Sequence, residues 1–213
     1  WMAEVATEST HVWSHKQRIV LFLSAMRHFR DDLRKSGQTV YYTELGDADN
    51  QGTLSAQLTA FLKSHTVEKV VCVEPGEHRV RAGLEAVCQA AKVPLEVRED
   101  AHFMSSIADF AAHAEGRKEL RMEYFYRGMR KRHRVLMDAT GKPEGGDWNF
   151  DKENRKSFGK EGPQLSHPPK RFRPDKLTRA VLKEVEERFP DHPGSLDSFA
   201  WPVRRAQALE ALN

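Results

Sequence analysis

Residues 69–97, KVVCVEPGEHRVRAGLEAVCQAAKVPLEV, decide the fold. Lys69 to Val73 is a short apolar run rich in β-branched residues, the pattern of a strand buried in a parallel sheet. Glu74-Pro75-Gly76 ends it, since proline lacks an amide donor and glycine accepts turn geometry. Val80, Leu84, Val87 and Cys88 then recur at helical spacing, and Leu95 to Val97 makes the next strand. Strand, helix and strand in this order form a βαβ unit, whose two strands run parallel.

The alternation continues outward. Trp1 to Val5 reads as the end of a strand already under way. Ile19, Phe22, Leu23, Met26, Phe29 and Leu33 line one helical face, with Arg27, Arg30, Asp31 and Arg34 opposite. Gly37 is placed to end that helix. Gln38 to Leu45 is rich in β-formers, Gly46 to Gly52 is a turn cluster, and Thr53 can cap a helix carrying Leu54, Leu58, Phe61 and Leu62. The expected fold is α/β: a Rossmann-like parallel sheet with helices on both faces, over residues 1–136. Residues 137–174, rich in Gly, Pro and charge, read as a long connecting segment. A helix over Asp175 to Phe189 and an amphipathic start at Val203, Ala206, Leu209 and Leu212 follow, so residues 175–213 read as the opening of a helical domain. Both chain ends read as cuts.

The 213 residues carry 39% hydrophobic and 31% charged side chains, the balance of a soluble globular chain. No run of about 18 apolar residues is present, which excludes a membrane-spanning helix, and no signal-peptide pattern opens the chain. The location expected is cytoplasmic. Two cysteines, Cys72 and Cys88, cannot build an iron–sulfur or structural zinc site by themselves.

Charge is uneven although the net value is only +3. Arg117 to Arg134 holds eight Lys or Arg against two Glu, and Asp151 to Lys176 holds eight against four acids. In the first stretch, RKELRMEYFYRGMRKRHRVL, a helix would place Met122, Phe125, Tyr126, Met129 and Leu136 on one face. Arg127, Arg130, Lys131 and Arg134 would lie opposite. The apolar stripe reads as core or a domain interface; the basic side can neutralise phosphates, or be a solvated face.

Ligands of open α/β sheets bind beyond the carboxyl ends of the strands. Two such ends carry chemistry: Glu8, in the loop after the opening strand, and Glu74, directly after Val73. A carboxylate there accepts hydrogen bonds from a ring N–H or hydroxyls; equally, these acids and their Pro and Gly neighbours can shape turns and cap helices. No glycine-rich phosphate fingerprint and no nucleophile with a partnering base is present. His11 and His15, four apart, lack the context of a metal site and read as surface or capping residues.

The segments KQRIVLFLSAMRHF, EPGEHRV, GRKELRMEYFYRGMRKRHRVLMD and PEGGDWNFDKENRK resemble the bacterial photolyase-related proteins that carry an iron–sulfur cluster. That family includes prokaryotic (6-4) photolyases and cryptochrome-like relatives. The resemblance covers essentially the whole chain. It implies an amino-terminal α/β antenna domain, an interdomain segment and a helical domain. FAD, a 4Fe-4S cluster and the lesion pocket belong to the helical domain, which this chain only begins. The family's opening strand with its GDQL-like loop is absent here.

By resemblance, the antenna chromophore is 6,7-dimethyl-8-ribityllumazine. Glu8 is the first candidate for its hydrogen bond, Phe22 for an apolar wall and Glu74 for a second acceptor. The implied role is the antenna part of a light-driven DNA-repair flavoprotein, a lyase only as the complete parent. The alternative is a cryptochrome-like blue-light receptor without repair activity. A stand-alone ligand- or RNA-binding module is the third reading, against which both chain ends speak. The partners implied are damaged DNA, contacted by Arg127, Arg130, Lys131 and Arg134, and the parent's own helical domain. The parent is expected to be a monomer.

Overall fold

The structure is a computed structural model that describes residues 1–151, 157–162 and 169–212. The expected connecting segment 137–174 and the motif ending at Lys156 therefore lie partly outside the described residues. In chain order the elements are β1 Met2–Ala3, α1 Ala6–Thr10, α2 Lys16–Lys35, β2 Tyr42–Thr43, α3 Leu54–Ser64 and β3 Val70–Val73. They continue with α4 His78–Ala91, β4 Leu95–Arg98, α5 Ile107–Ala114, α6 Met122–His133, α7 Lys176–Arg188 and α8 Arg205–Leu212. The fold is α/β, as expected. It divides into two compact units, one of residues 1–70, 77–95 and 167–213 and the other of residues 71–76 and 96–166.

In the first unit β1 pairs with β2 in parallel, Met2 opposite Tyr42 and Ala3 opposite Thr43. Helix α2 joins these strands, as parallel neighbours require. Its first turn is capped by His15, whose Nδ1 accepts from the Gln17 amide at 3.1 Å. Its end is Gly37, at φ 84°, where the amide reaches back to the Arg34 carbonyl at 3.0 Å. The buried face of α2 carries Ile19, Val20 and Leu23, packed with Val181 and Val185 of α7 and with Leu45, Phe189, Phe199 and Val203. Each such side chain contributes roughly 1.5–3 kcal/mol on burial. Thus α7, expected to open a separate helical domain, shares the core of the α/β unit. Its N-cap is Asp175, which accepts from the Thr178 amide at 2.9 Å.

Helices α3 and α4 pack closely where Gly83 faces Ser55; a Cβ on Gly83 would stand 2.7 Å from the Ser55 hydroxyl. Thr53 caps α3 by accepting from the Ala56 amide at 3.1 Å, as its position after the Gly46–Gly52 turn cluster predicts.

Hydrogen bonds from the Val70 amide to the Pro94 carbonyl and from the Glu74 amide to the Arg98 carbonyl pair β3 with β4 in parallel. Helix α5 opens with a reciprocal capping box between Ser106 and Asp109. Arg132 of α6 reaches Asp109 at 2.6 Å, and Phe110 meets Phe125 edge-on at 5.3 Å.

Further expectations change: on α2, Phe22 and Phe29 of the expected apolar face are each 56% exposed, while Arg27, expected opposite, is buried. Among the described residues the strands form two two-stranded sheets rather than one continuous sheet. The Gln38–Leu45 run forms a strand only at Tyr42–Thr43, because β1 offers it a partner only two residues long. Strand β3 is not fully buried: Val71 and Val73 face outward, 41% and 51% exposed.

Candidate functional site

The carboxyl ends of β1 and β2 are joined by two polar knots. Glu4, with no exposed side-chain surface, accepts both arms of Arg27 at 2.7 Å. It also accepts the Tyr42 hydroxyl at 2.6 Å and the Leu45 amide at 2.8 Å. Arg27 further donates to Glu184 of α7 at 2.7 Å. Burial alone would lower the Arg27 pKa, but the Glu4 and Glu184 carboxylates reverse that and raise it. Burial together with the bond to Glu4 pushes the Tyr42 phenol up. The second knot is Asn50, whose amide donates to the carbonyls of Glu4 at 2.6 Å and Glu44 at 2.9 Å. Its oxygen accepts from the Gly52 amide at 2.9 Å. The loop after β2 is thereby pinned to the ends of both strands.

Two clefts flank this rim. One, of about 540 Å³, is lined by Ala6, Leu45, Gly46, Asp47, Asn50 and Phe189, among others. The other, of about 260 Å³, holds Glu8 with the hydroxyl residues Thr7, Thr10, Thr53 and Ser55 and with His11 and Arg79. Glu8 stands in the first turn of the short helix α1, not in a loop. It receives a two-armed bond from Arg79, at 2.8 and 2.7 Å, and that bond holds its carboxyl below the ordinary value. Arg79 also donates to Glu77 at 2.7 Å. The Glu8 side chain makes no capping bond, since Val5 is the N-cap of α1 and no side chain caps it.

The other chromophore candidates lie elsewhere. Phe22 is 56% exposed on α2, with the Arg18 guanidinium 5.6 Å from its ring centre, and it lines neither cleft. Glu74 belongs to the second unit, where it lines a cavity of about 700 Å³ with Pro75, Gly76, Val97, Phe103 and Ile107 at the carboxyl ends of β3 and β4.

Helix α6 is shorter than the 117–136 stretch and its cations are not a free row. Arg127, Arg130 and Lys131 converge on the Trp148 ring, at 5.5, 5.2 and 5.4 Å from its centre. Arg130 is buried and donates to the Val135 and Leu136 carbonyls, and Arg127 pairs with Glu123. Arg134 is the exposed left-handed C-cap, at φ 54°. Beside this cage Met122, Phe125, Tyr126, Met129 and Phe150 line a cavity of about 990 Å³. Sequence reasoning missed Glu4, Asn50 and Trp148. Asn50 alone carried a signal, the turn cluster Gly46–Gly52.

Among the described residues no helix is long and apolar enough to cross a membrane, and no group of three His, Cys, Asp or Glu could hold a metal ion. Residues 1–201 match the model of the family described as deoxyribodipyrimidine photo-lyase-related protein. The chain is 40% identical over 212 residues to a (6-4) photolyase of Agrobacterium fabrum (strain C58 / ATCC 33970). That match covers 100% of this chain and 41% of the relative.

Proposed function

Since the chain belongs to the deoxyribodipyrimidine photo-lyase-related family, we propose that it is the light-harvesting part of a (6-4) photolyase-like protein. In this reading the complete parent repairs damaged DNA with light through FAD. An iron–sulfur cluster lies in its helical part, and a lumazine-type chromophore is held by the α/β unit described here. The chain spans 41% of the length of the relative it matches, so catalysis is assigned to the parent.

The observation that carries the reading is the pair of clefts at the carboxyl ends of β1 and β2, the place where open α/β sheets bind ligands. The larger, about 540 Å³, lies within the range of roughly 300–1,000 Å³ usual for small-molecule sites. Leu45 and Phe189 offer an apolar wall to a flat ring, and Asp47 a carboxylate to its polar edge. The Glu8 cleft offers hydroxyls and a carboxylate, groups that suit a polyhydroxylated tail. Arg79 occupies one side of the Glu8 carboxylate, and an ionised carboxylate has about four acceptor positions, so room remains for a ligand donor. A bound lumazine supplies absorption in the blue; the protein fixes it and excludes water.

The test is chromophore stoichiometry. In the full-length parent, Glu8→Ala and Asp47→Ala should each lose lumazine while FAD content stays unchanged. Loss of one charged hydrogen bond costs about 1.5–3 kcal/mol, roughly ten- to a hundredfold in affinity. Repair in strong light should persist while repair in dim blue light falls. Stoichiometric lumazine in both variants would remove the chromophore from this rim. The cations Arg127, Arg130, Lys131 and Arg134 are proposed as DNA contacts of the parent only in part: Lys131 and Arg134 are exposed, whereas Arg130 is committed to its own chain.

A further inference from the structure

Helices α7 and α8 begin side by side, because Arg204, just before α8, donates to Oδ2 of Asp175, the N-cap of α7, at 3.2 Å. Neither first turn contains an acid. Instead Lys176 and Arg179 open α7, and Arg205 opens α8. Cations at a helix amino terminus oppose the helix dipole, and a bound anion relieves that opposition. The extended segment before α7 adds Arg173. Arg173, Lys176 and Arg205 are exposed and have no acidic partner among the described residues.

A cavity of about 490 Å³ opens at this junction, lined by His28 and Lys35 of α2, Lys176 of α7 and Arg204. Its carboxylates are largely engaged. Asp31 accepts from Arg30 at 2.8 Å. Asp175 caps Thr178 through one oxygen and holds Arg204 through the other. Asp32 remains the one uncommitted acid of the lining among the described residues. At the base lies His28, 3% exposed, whose Nε2 has no hydrogen-bond partner and stands 3.3 Å from the Asp175 carboxylate. The Asp175 carboxylate, already shared with Arg204, faces this nitrogen without completing a hydrogen bond, and a buried donor left so is costly unless something satisfies it.

We propose that this junction is a phosphate-binding site, taking a phosphodiester of a nucleic-acid backbone between the amino termini of α7 and α8. Lys35, Lys176 and Arg204 contact its oxygens, Arg173, Arg179 and Arg205 extend the positive field around it, and His28 donates its N–H from below. The site shares no lining residue with the chromophore clefts, and it does not depend on the chromophore reading. The same chemistry would serve a small phosphorylated compound.

Two titrations of the full chain decide. The His28 ring resonances are followed while inorganic phosphate, then an undamaged DNA duplex, is added. Duplex affinity is measured against salt for the parent chain and for a Lys176→Ala, Arg179→Ala, Arg205→Ala variant, whose substituted positions are exposed. The expectation is a His28 shift with both ligands and a slope of log K on log salt lowered by about one per cation removed. His28→Gln should weaken inorganic phosphate severalfold without changing the salt slope. A His28 shift with phosphate and an unchanged slope in the triple variant would assign the site to a small phosphorylated molecule and overturn the nucleic-acid source. No His28 response to either ligand would overturn the site.

Discussion

Arg27→Leu should be the most destabilising single substitution in the α/β unit. Glu4 has no exposed side-chain surface and takes four hydrogen bonds, two of them from Arg27. Without Arg27 its charge keeps only the Tyr42 hydroxyl and the Leu45 amide. Glu184, 18% exposed in its side chain, then loses a partner while retaining Arg188 at 3.0 Å. Breaking a buried pair from one side leaves an uncompensated charge and costs about 3–5 kcal/mol. For a domain of this size 1 kcal/mol shifts the melting temperature by about 2–4 °C, so the expected fall is roughly 6–20 °C. Glu4→Gln should cost less. It leaves no buried anion, and Arg27 keeps Glu184 at 2.7 Å and Glu44 at 3.4 Å. The double variant should fall short of the sum of the single changes, since the two residues share one network. Calorimetric melts of the four proteins test this. A fall below about 3 °C for Arg27→Leu, or a larger fall for Glu4→Gln, would refute the buried-charge reasoning.

Further outcomes follow from the same geometry. Arg79→Ala, which removes a pair whose side chains are about a third exposed, should lower stability by no more than about 1 kcal/mol in chemical denaturation. Thr53→Ala removes the α3 cap and should cost about 1 kcal/mol, with Thr53→Ser restoring most of it. Burial lowers the His28 pKa below its ordinary 6.5, against the pull of Asp175. The unfolded chain therefore takes up the proton first, and stability should be full above about pH 6.5 and fall as the pH drops below it. His28→Gln should flatten that slope in pH-dependent melts, and an unchanged slope would remove His28 as its source. Trp148→Leu should uncage Arg127, Arg130 and Lys131, seen as faster amide exchange in α6.

The helices were largely legible because their signals are local. Thr53 and Asp175 stand where a cap is needed, Gly37 accepts the positive φ that ends α2, and the Ile19–Leu23 face of α2 keeps helical spacing. Helix α5 was missed although Ser106-x-x-Asp109 is the signature of a capping box; its eight residues form barely two turns, too short for a periodic stripe to stand out. The strands were less legible. Pairing is a property of two segments, and Gln38–Val40 has the composition of a strand without a partner in β1. The Glu4 knot was invisible for the same reason. Nothing next to Glu4 marks it as buried, and its four donors come from Arg27, Tyr42 and Leu45, up to 41 residues away.

Charge density along the sequence and uncompensated charge in space differ here, and the reason is physical. The stretch Arg117–Arg134 is the denser basic block, yet its cations are mostly answered from within. Arg121 pairs with Glu119, Arg127 with Glu123 and Arg132 with Asp109, while Arg130 turns to backbone carbonyls and three cations share the Trp148 face. In the second block Lys170 pairs with Glu210, but the cations around the start of α7 are less answered. Arg173, Lys176 and Arg205 keep no acidic partner among the described residues, and two helix dipoles add to their field. What a polyanion meets is the uncompensated potential, not the count of Lys and Arg. Ala substitutions at Arg127 and Lys131 should therefore change the salt dependence of DNA binding less than the same number at Lys176 and Arg205. The reverse order would show that the Trp148 cage opens when DNA binds, and would return the nucleic-acid contact to α6.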